Sequence, residues 1–135
     1  MQDYEKRIAI FNKNEHMKKA SLLLLLLLVL HFTSFAQTEF ELEPSQSMLM
    51  TGKGAGQDGT INPFAGQDCF AIIENMGASE VSVRVQKAGT VISTFTVLGG
   101  DSFWFKLLKD QELYLDANAK EKVKVRVGYT QMQPE

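Results

Sequence analysis

The chain has 135 residues, 14 of them basic, 16 acidic and two histidine, with one cysteine and a formal net charge of −2. That length leaves room for one modest domain rather than two, and a lone cysteine excludes an internal disulfide framework. Mild acidity without a basic cluster is a poor match for phosphate backbones, so no nucleic-acid partner is expected.

Residues 1–16, MQDYEKRIAIFNKNEH, mix charges of both signs and carry no apolar stripe. From Met17 the pattern changes. Lys18 and Lys19 precede an uncharged, apolar run from Ala20 to Leu30, and HFTSFAQ follows with small Ser34 and Ala36 two apart. A positive start, a short apolar run and a small-x-small exit resemble a secretory signal peptide. The expected cut falls between Ala36 and Gln37. An uncleaved anchor fits less well, because a spanning helix needs roughly 20 apolar residues and His31 interrupts this run. Met17 opens a complete leader by itself, so residues 1–16 read as a misassigned start or an extended positive segment. The expected organisation is residues 1–16, a leader over 17–36 and one domain over 37–135. Contact with a membrane is expected only through an uncleaved leader.

Loss of the leader removes Lys6, Arg7, Lys13, Lys18 and Lys19, and also Asp3, Glu5 and Glu15, which leaves 9 basic against 13 acidic residues, a net of −4. It also removes His16 and His31, so the domain contains no histidine. Serine and cysteine nucleophiles usually need an imidazole base, and zinc sites want His or Cys ligands. The domain therefore reads as a non-enzyme with no cofactor. Cys69 lies in the apolar stretch DCFAIIEN, where a lone cysteine behaves as a small buried hydrophobe.

The remaining chain alternates strand patterns with turn signals. Strands are predicted over 38–43, 47–51, 69–75, 80–86, 90–98, 102–108, 112–117 and 122–130, with a glycine-rich interruption over 52–67. Short strands at this spacing predict an all-β fold, an antiparallel two-sheet β-sandwich of about seven or eight strands, immunoglobulin-like or jelly-roll-like. Two hairpins are predicted in register. A three-residue loop Lys87-Ala88-Gly89 would pair Val85 with Val91 and Val81 with Phe95. A Lys109-Asp110-Gln111 loop would pair Leu107 with Leu113 and Phe105 with Leu115, placing Trp104, Lys106, Tyr114 and Asp116 on one outer face. Val123, Val125, Val127 and Tyr129 are expected inward, with Lys122, Lys124, Arg126 and Gly128 outward.

Three candidate sites emerge. Trp104, Lys106 and Tyr114 would form an aromatic patch with a cation, suited to sugars or partner proteins; the alternative is an aromatic core. Asp58, Asn62 and Asp68 supply hard oxygens in or beside the glycine-rich loop, a weak calcium-like set without EF-hand spacing. Lys122, Lys124 and Arg126 form a basic ladder that more simply solvates a strand. Glu74, Glu80, Asp101, Glu112 and Asp116 are available for acid–base work, but no pattern pairs two across a cleft. The expected function is that of an exported, non-catalytic module, periplasmic or secreted and monomeric, that binds a protein or glycan. The alternatives are a small carboxylate-dependent hydrolase and a structural subunit that assembles by strand addition.

Overall fold

The computed structural model describes residues 2–31 and 37–133, the side chains of 28–31 excepted. The chain divides into two units, one N-terminal and helical, the other a β domain beginning near residue 35. Helix α1 spans Gln2–His31 and runs unbroken from the charged segment through the leucines. Asp3 and Glu5 sit in its first turn, where carboxylates oppose the helix dipole. No described helix is long and apolar enough to cross a membrane. The absence of an apolar stripe over 1–16 gives no reason to expect a helix there, yet one forms. Ala36 of the expected cleavage site lies outside the described residues.

The β domain consists of β1 (Thr38–Leu42), β2 (Ser47–Thr51), β3 (Cys69–Asn75), β4 (Val81–Lys87), β5 (Thr90–Val97), β6 (Ser102–Leu107), β7 (Glu112–Ala117) and β8 (Val123–Thr130). Each end lies within a residue of the sequence-based expectation. One sheet has the order β1-β8-β3-β6 and the other β2-β7-β4-β5, all antiparallel. Strands 1 and 8, 2 and 7, 3 and 6, and 4 and 5 pair as though one long hairpin had been rolled up. Of the two sandwich types expected, this is the jelly-roll order. It differs from the immunoglobulin order, in which strands divide differently between the sheets.

The two sheets close on one apolar core. Leu42, Ala71, Ile73, Val123, Val125 and Val127 enter from the first, and Val81, Val83, Val85, Leu113 and Leu115 from the second. Each valine, leucine or isoleucine among them contributes roughly 1.5–3 kcal/mol when taken out of water. The period-two alternation fixes these faces, and β8 shows it plainly with Val123, Val125, Val127 and Tyr129 buried.

Both predicted hairpins need correction. In β4–β5 the loop is the two-residue turn Ala88-Gly89, both at positive φ (49° and 79°), the twist that tight hairpins favour. A bare two-residue turn would face the valines with threonines. A bulge at Ile92 restores the register, so Val85 meets Ser93, Val83 meets Phe95 and Val81 meets Val97. The second case is a larger departure. β6 and β7 do not pair at all; β6 pairs with β3, and β7 with β2 and β4. Residues 108–111 carry the chain across from one sheet to the other.

One buried polar side chain secures the end of β5. Asn75 donates from Nδ2 to the carbonyls of Ser79 (2.7 Å) and Val97 (3.0 Å), and its Oδ1 accepts from Gly77 N–H (3.0 Å). All three hydrogen bonds leave β3 for the segments that lead into and out of the β4–β5 hairpin.

Candidate functional site

The sheet crossing divides the expected aromatic patch. Trp104 and Lys106 sit on the outer face of the first sheet, opposite Ile72 and Phe70 of β3. Tyr114 lies on the outer face of the second sheet, between Leu49 and Arg84. Periodicity predicts all three outward, and outward they point, but on two different outsides. Trp104 is half-buried there.

The loop oxygens are occupied by backbone. Asp58 accepts from the N–H groups of Gly52, Lys53 and Gly54 at 3.0, 2.9 and 3.1 Å. Asn62 Oδ1 accepts from Phe64 N–H at 2.9 Å, while its Nδ2 lies 3.6 Å from the Cys69 sulfur. Asp68 accepts from Lys109 N–H at 3.0 Å. Among the described residues no group of three or more His, Cys, Asp or Glu side chains converges as metal ligands. Asp58 and Asn62 instead help to shape a shallow cleft of about 260 Å³ at one end of the sandwich, lined also by Lys53, Gln67 and Gln111. Burial pushes the Cys69 thiol above its usual pKa.

Gln37, on the domain side of the expected cut, lays its side chain over Gly128. A Cβ at Gly128 would come within 3.0 Å of Gln37 Cγ. The basic ladder is neutralised mainly from β1 and the residue after it: Lys122 pairs with Glu43 (3.1 Å), Lys124 with Glu39 (3.8 Å), and Arg126 with Glu39 (2.5 Å) and Glu74 (2.9 Å). Hydrogen bonding from Arg126 holds the Glu39 carboxyl below its usual pKa.

Sequence reasoning missed a polar network on the outer face of the second sheet. Arg84 grips Asp116 through Nε (2.9 Å) and Nη2 (3.0 Å), donates to Ser47 (3.0 Å), and lies 4.3 Å above the Tyr114 ring. Hydrogen bonding from Arg84 lowers the Asp116 pKa. Cross-strand pairing of Arg84 with Tyr114 and of Ser82 with Asp116 creates this network. Only the strand order, not the spacing of the residues, could have revealed it.

The four sheet edges differ sharply. β1 carries Glu39 and Glu41 on its outer face. β6 carries Lys106. β2 is covered, because Gly59 and Thr60 N–H donate to the Leu49 and Met50 carbonyls at 2.9 and 3.0 Å. Thr60 is itself fixed by its hydroxyl contact with buried Tyr129, whose phenol burial drives far above its usual pKa. β5 has none of these protections: TVISTFTV contains no charge and no proline. Val91 and Ile92 are 51% and 52% exposed, and among the described residues no other segment pairs with the outer edge of residues 91–96. Beside it, where the two sheets part, Phe95 packs against Phe103 (4.5 Å) and Phe105 (5.0 Å), and Phe103 is 45% exposed.

No protein-family model matches the chain, and no curated protein does. Among solved structures it is similar to PirA, with a TM-score of 0.52 and 18% identity over 69% of this chain and 92% of that one. A chain from Bacillus endospore appendages, described as a novel family of disulfide-linked pili, aligns at a TM-score of 0.39 and 17% identity, over 73% of this chain and 90% of that one. At its identity the first likeness is one of fold alone, and the second is too distant to bear on function.

Proposed function

We propose that the protein is an extracytoplasmic, non-catalytic interaction module, freed from its leader between Ala36 and Gln37, that binds a protein partner by adding a strand to β5. The observation that carries this reading is the contrast among the edges. Sheets that stay monomeric blunt their edges with charge, proline, a bulge or a covering loop. β5 has only the bulge at Ile92, which leaves Ser93–Val97 in regular register, and among the described residues it alone of the four lacks charge, proline and cover. An edge of this kind supplies main-chain hydrogen bonds to an incoming strand, while alternate side chains supply selectivity. The aromatic seam at Phe95 and Phe103 adds apolar area beside it. A glycan reading loses its support, since Trp104 and Tyr114 stand on the outer faces of different sheets.

The test is binding of a labelled, uncharged synthetic strand with the sequence of residues 90–97, followed by fluorescence anisotropy. Saturable binding is expected, abolished by Thr96→Lys, which places a charge within the regularly paired part of the edge, opposite Ser82 of β4. Binding that survives Thr96→Lys, or no binding at all, would remove the basis for this function.

A further inference from the structure

We infer that the strand β5 accepts is β5 of a second copy of this chain, paired antiparallel about a two-fold axis at Phe95. The inference rests on the reading of β5 as the docking edge and names its partner. Ser93–Val97 is the part of β5 in regular register, since the bulge lies at Ile92; Phe95 is its midpoint. Antiparallel pairing centred there sets Phe95 opposite Phe95, Thr94 opposite Thr96, and Ser93 opposite Val97. Odd-numbered residues face the core in both copies and even-numbered residues face solvent in both, so the sheet face is preserved across the junction.

The chemistry matches at each position. The outer row becomes threonine against threonine, a favourable cross-strand pair. The inner row extends the Phe95–Phe103 aromatic cluster across the axis and covers the exposed Phe103. No charge meets a like charge, because the strand has none. The other edges of a second copy match less well: β1 brings Glu39 and Glu41, β6 brings Lys106, and β2 is occupied by Gly59 and Thr60. Isologous pairing also uses up the open edge in both copies, so assembly closes at two. Composition and pattern alone suggest a monomer; the unblunted edge is what argues otherwise. A five-residue strand pair spans only about 17 Å, so the dimer belongs with small, reversible interfaces.

Sedimentation velocity of the purified protein across a concentration series tests this. A monomer–dimer equilibrium that stops at two is expected. The double variant Thr94→Asp/Thr96→Asp sets carboxylates opposite each other in the dimer. Within the monomer, the carboxylate introduced at position 94 faces Arg84, because Thr94 pairs with Arg84. That variant should stay monomeric with unchanged circular dichroism. Its melting temperature should be lowered by several degrees because aspartate is a poor strand former, and sedimentation is read well below that temperature. Thr94→Cys/Thr96→Cys should form a covalent dimer on oxidation, reversed by reductant. Open-ended oligomers, a dimer that persists in the aspartate variant, or failure of the cysteine variant to cross-link would each overturn the inference. A monomer at every concentration would overturn it too. In that case the residue 90–97 peptide separates the two claims: if it binds, β5 docks another protein, and if it does not, the docking function falls as well.

Discussion

Ala88 occupies the first central position of the β4–β5 turn at φ 49°, where its Cβ crowds the following carbonyl at a cost of roughly 1–2 kcal/mol. Asparagine tolerates this conformation and is favoured before glycine in such turns. Ala88→Asn should therefore stabilise the fold by about 0.5–1 kcal/mol, read as a higher urea midpoint at unchanged slope. Asn75→Ala should act in the opposite sense. It leaves the buried Val97 carbonyl without its donor, and the expected loss is about 2–4 kcal/mol by equilibrium unfolding. The pH dependence comes from Asp116, Glu39 and Asp110, whose pKa values are lowered by hydrogen bonding from Arg84, Arg126 and Lys87. A carboxyl with a depressed folded-state pKa stabilises the fold above its unfolded value and loses that contribution as pH falls through the folded one. Stability should thus drop below about pH 4, and Asp116→Asn should begin less stable and lose less on acidification. Equal acid sensitivity in the two proteins would contradict this assignment.

At the scale of elements, the sequence reports strands well and their pairing poorly, for a physical reason. Alternation records whether a side chain faces in or out, and Phe105, Leu107, Leu113 and Leu115 all face inward as it predicts. It does not record which sheet a strand joins. In a jelly roll most consecutive strands change sheets, and here β4–β5 is the exception. A short connection such as residues 108–111 looks the same in sequence whether it turns within a sheet or crosses between two. The bulge at Ile92 is hidden similarly, because one extra residue lets a two-residue turn bury the face expected of a three-residue one. A close backbone approach supports the crossing from β5 to β6: a Cβ on Gly99 would lie 2.4 Å from the Ala78 carbonyl oxygen. Gly99→Ala forces that connection apart, and a melting temperature lowered by several degrees is expected.

At the scale of the molecule, the candidate sites are legible in the sequence only as residue types. Asp58, Asn62 and Asp68 carry the oxygens a cation would want, yet each is engaged by loop backbone or the neighbouring connection. Trp104 and Tyr114 are separated only by the strand order. The open edge is invisible for the same reason: TVISTFTV reads as any half-buried strand until its position at the end of a sheet is known. The central claim is that β5 is a docking edge, with a second copy as its occupant. Amide hydrogen exchange at increasing protein concentration tests it most directly. Exchange of residues 93–97 should slow with concentration while residues 38–42 and 102–107, on the charged edges, stay unchanged. Concentration-independent exchange along β5, or protection at β1 or β6 instead, would contradict the account.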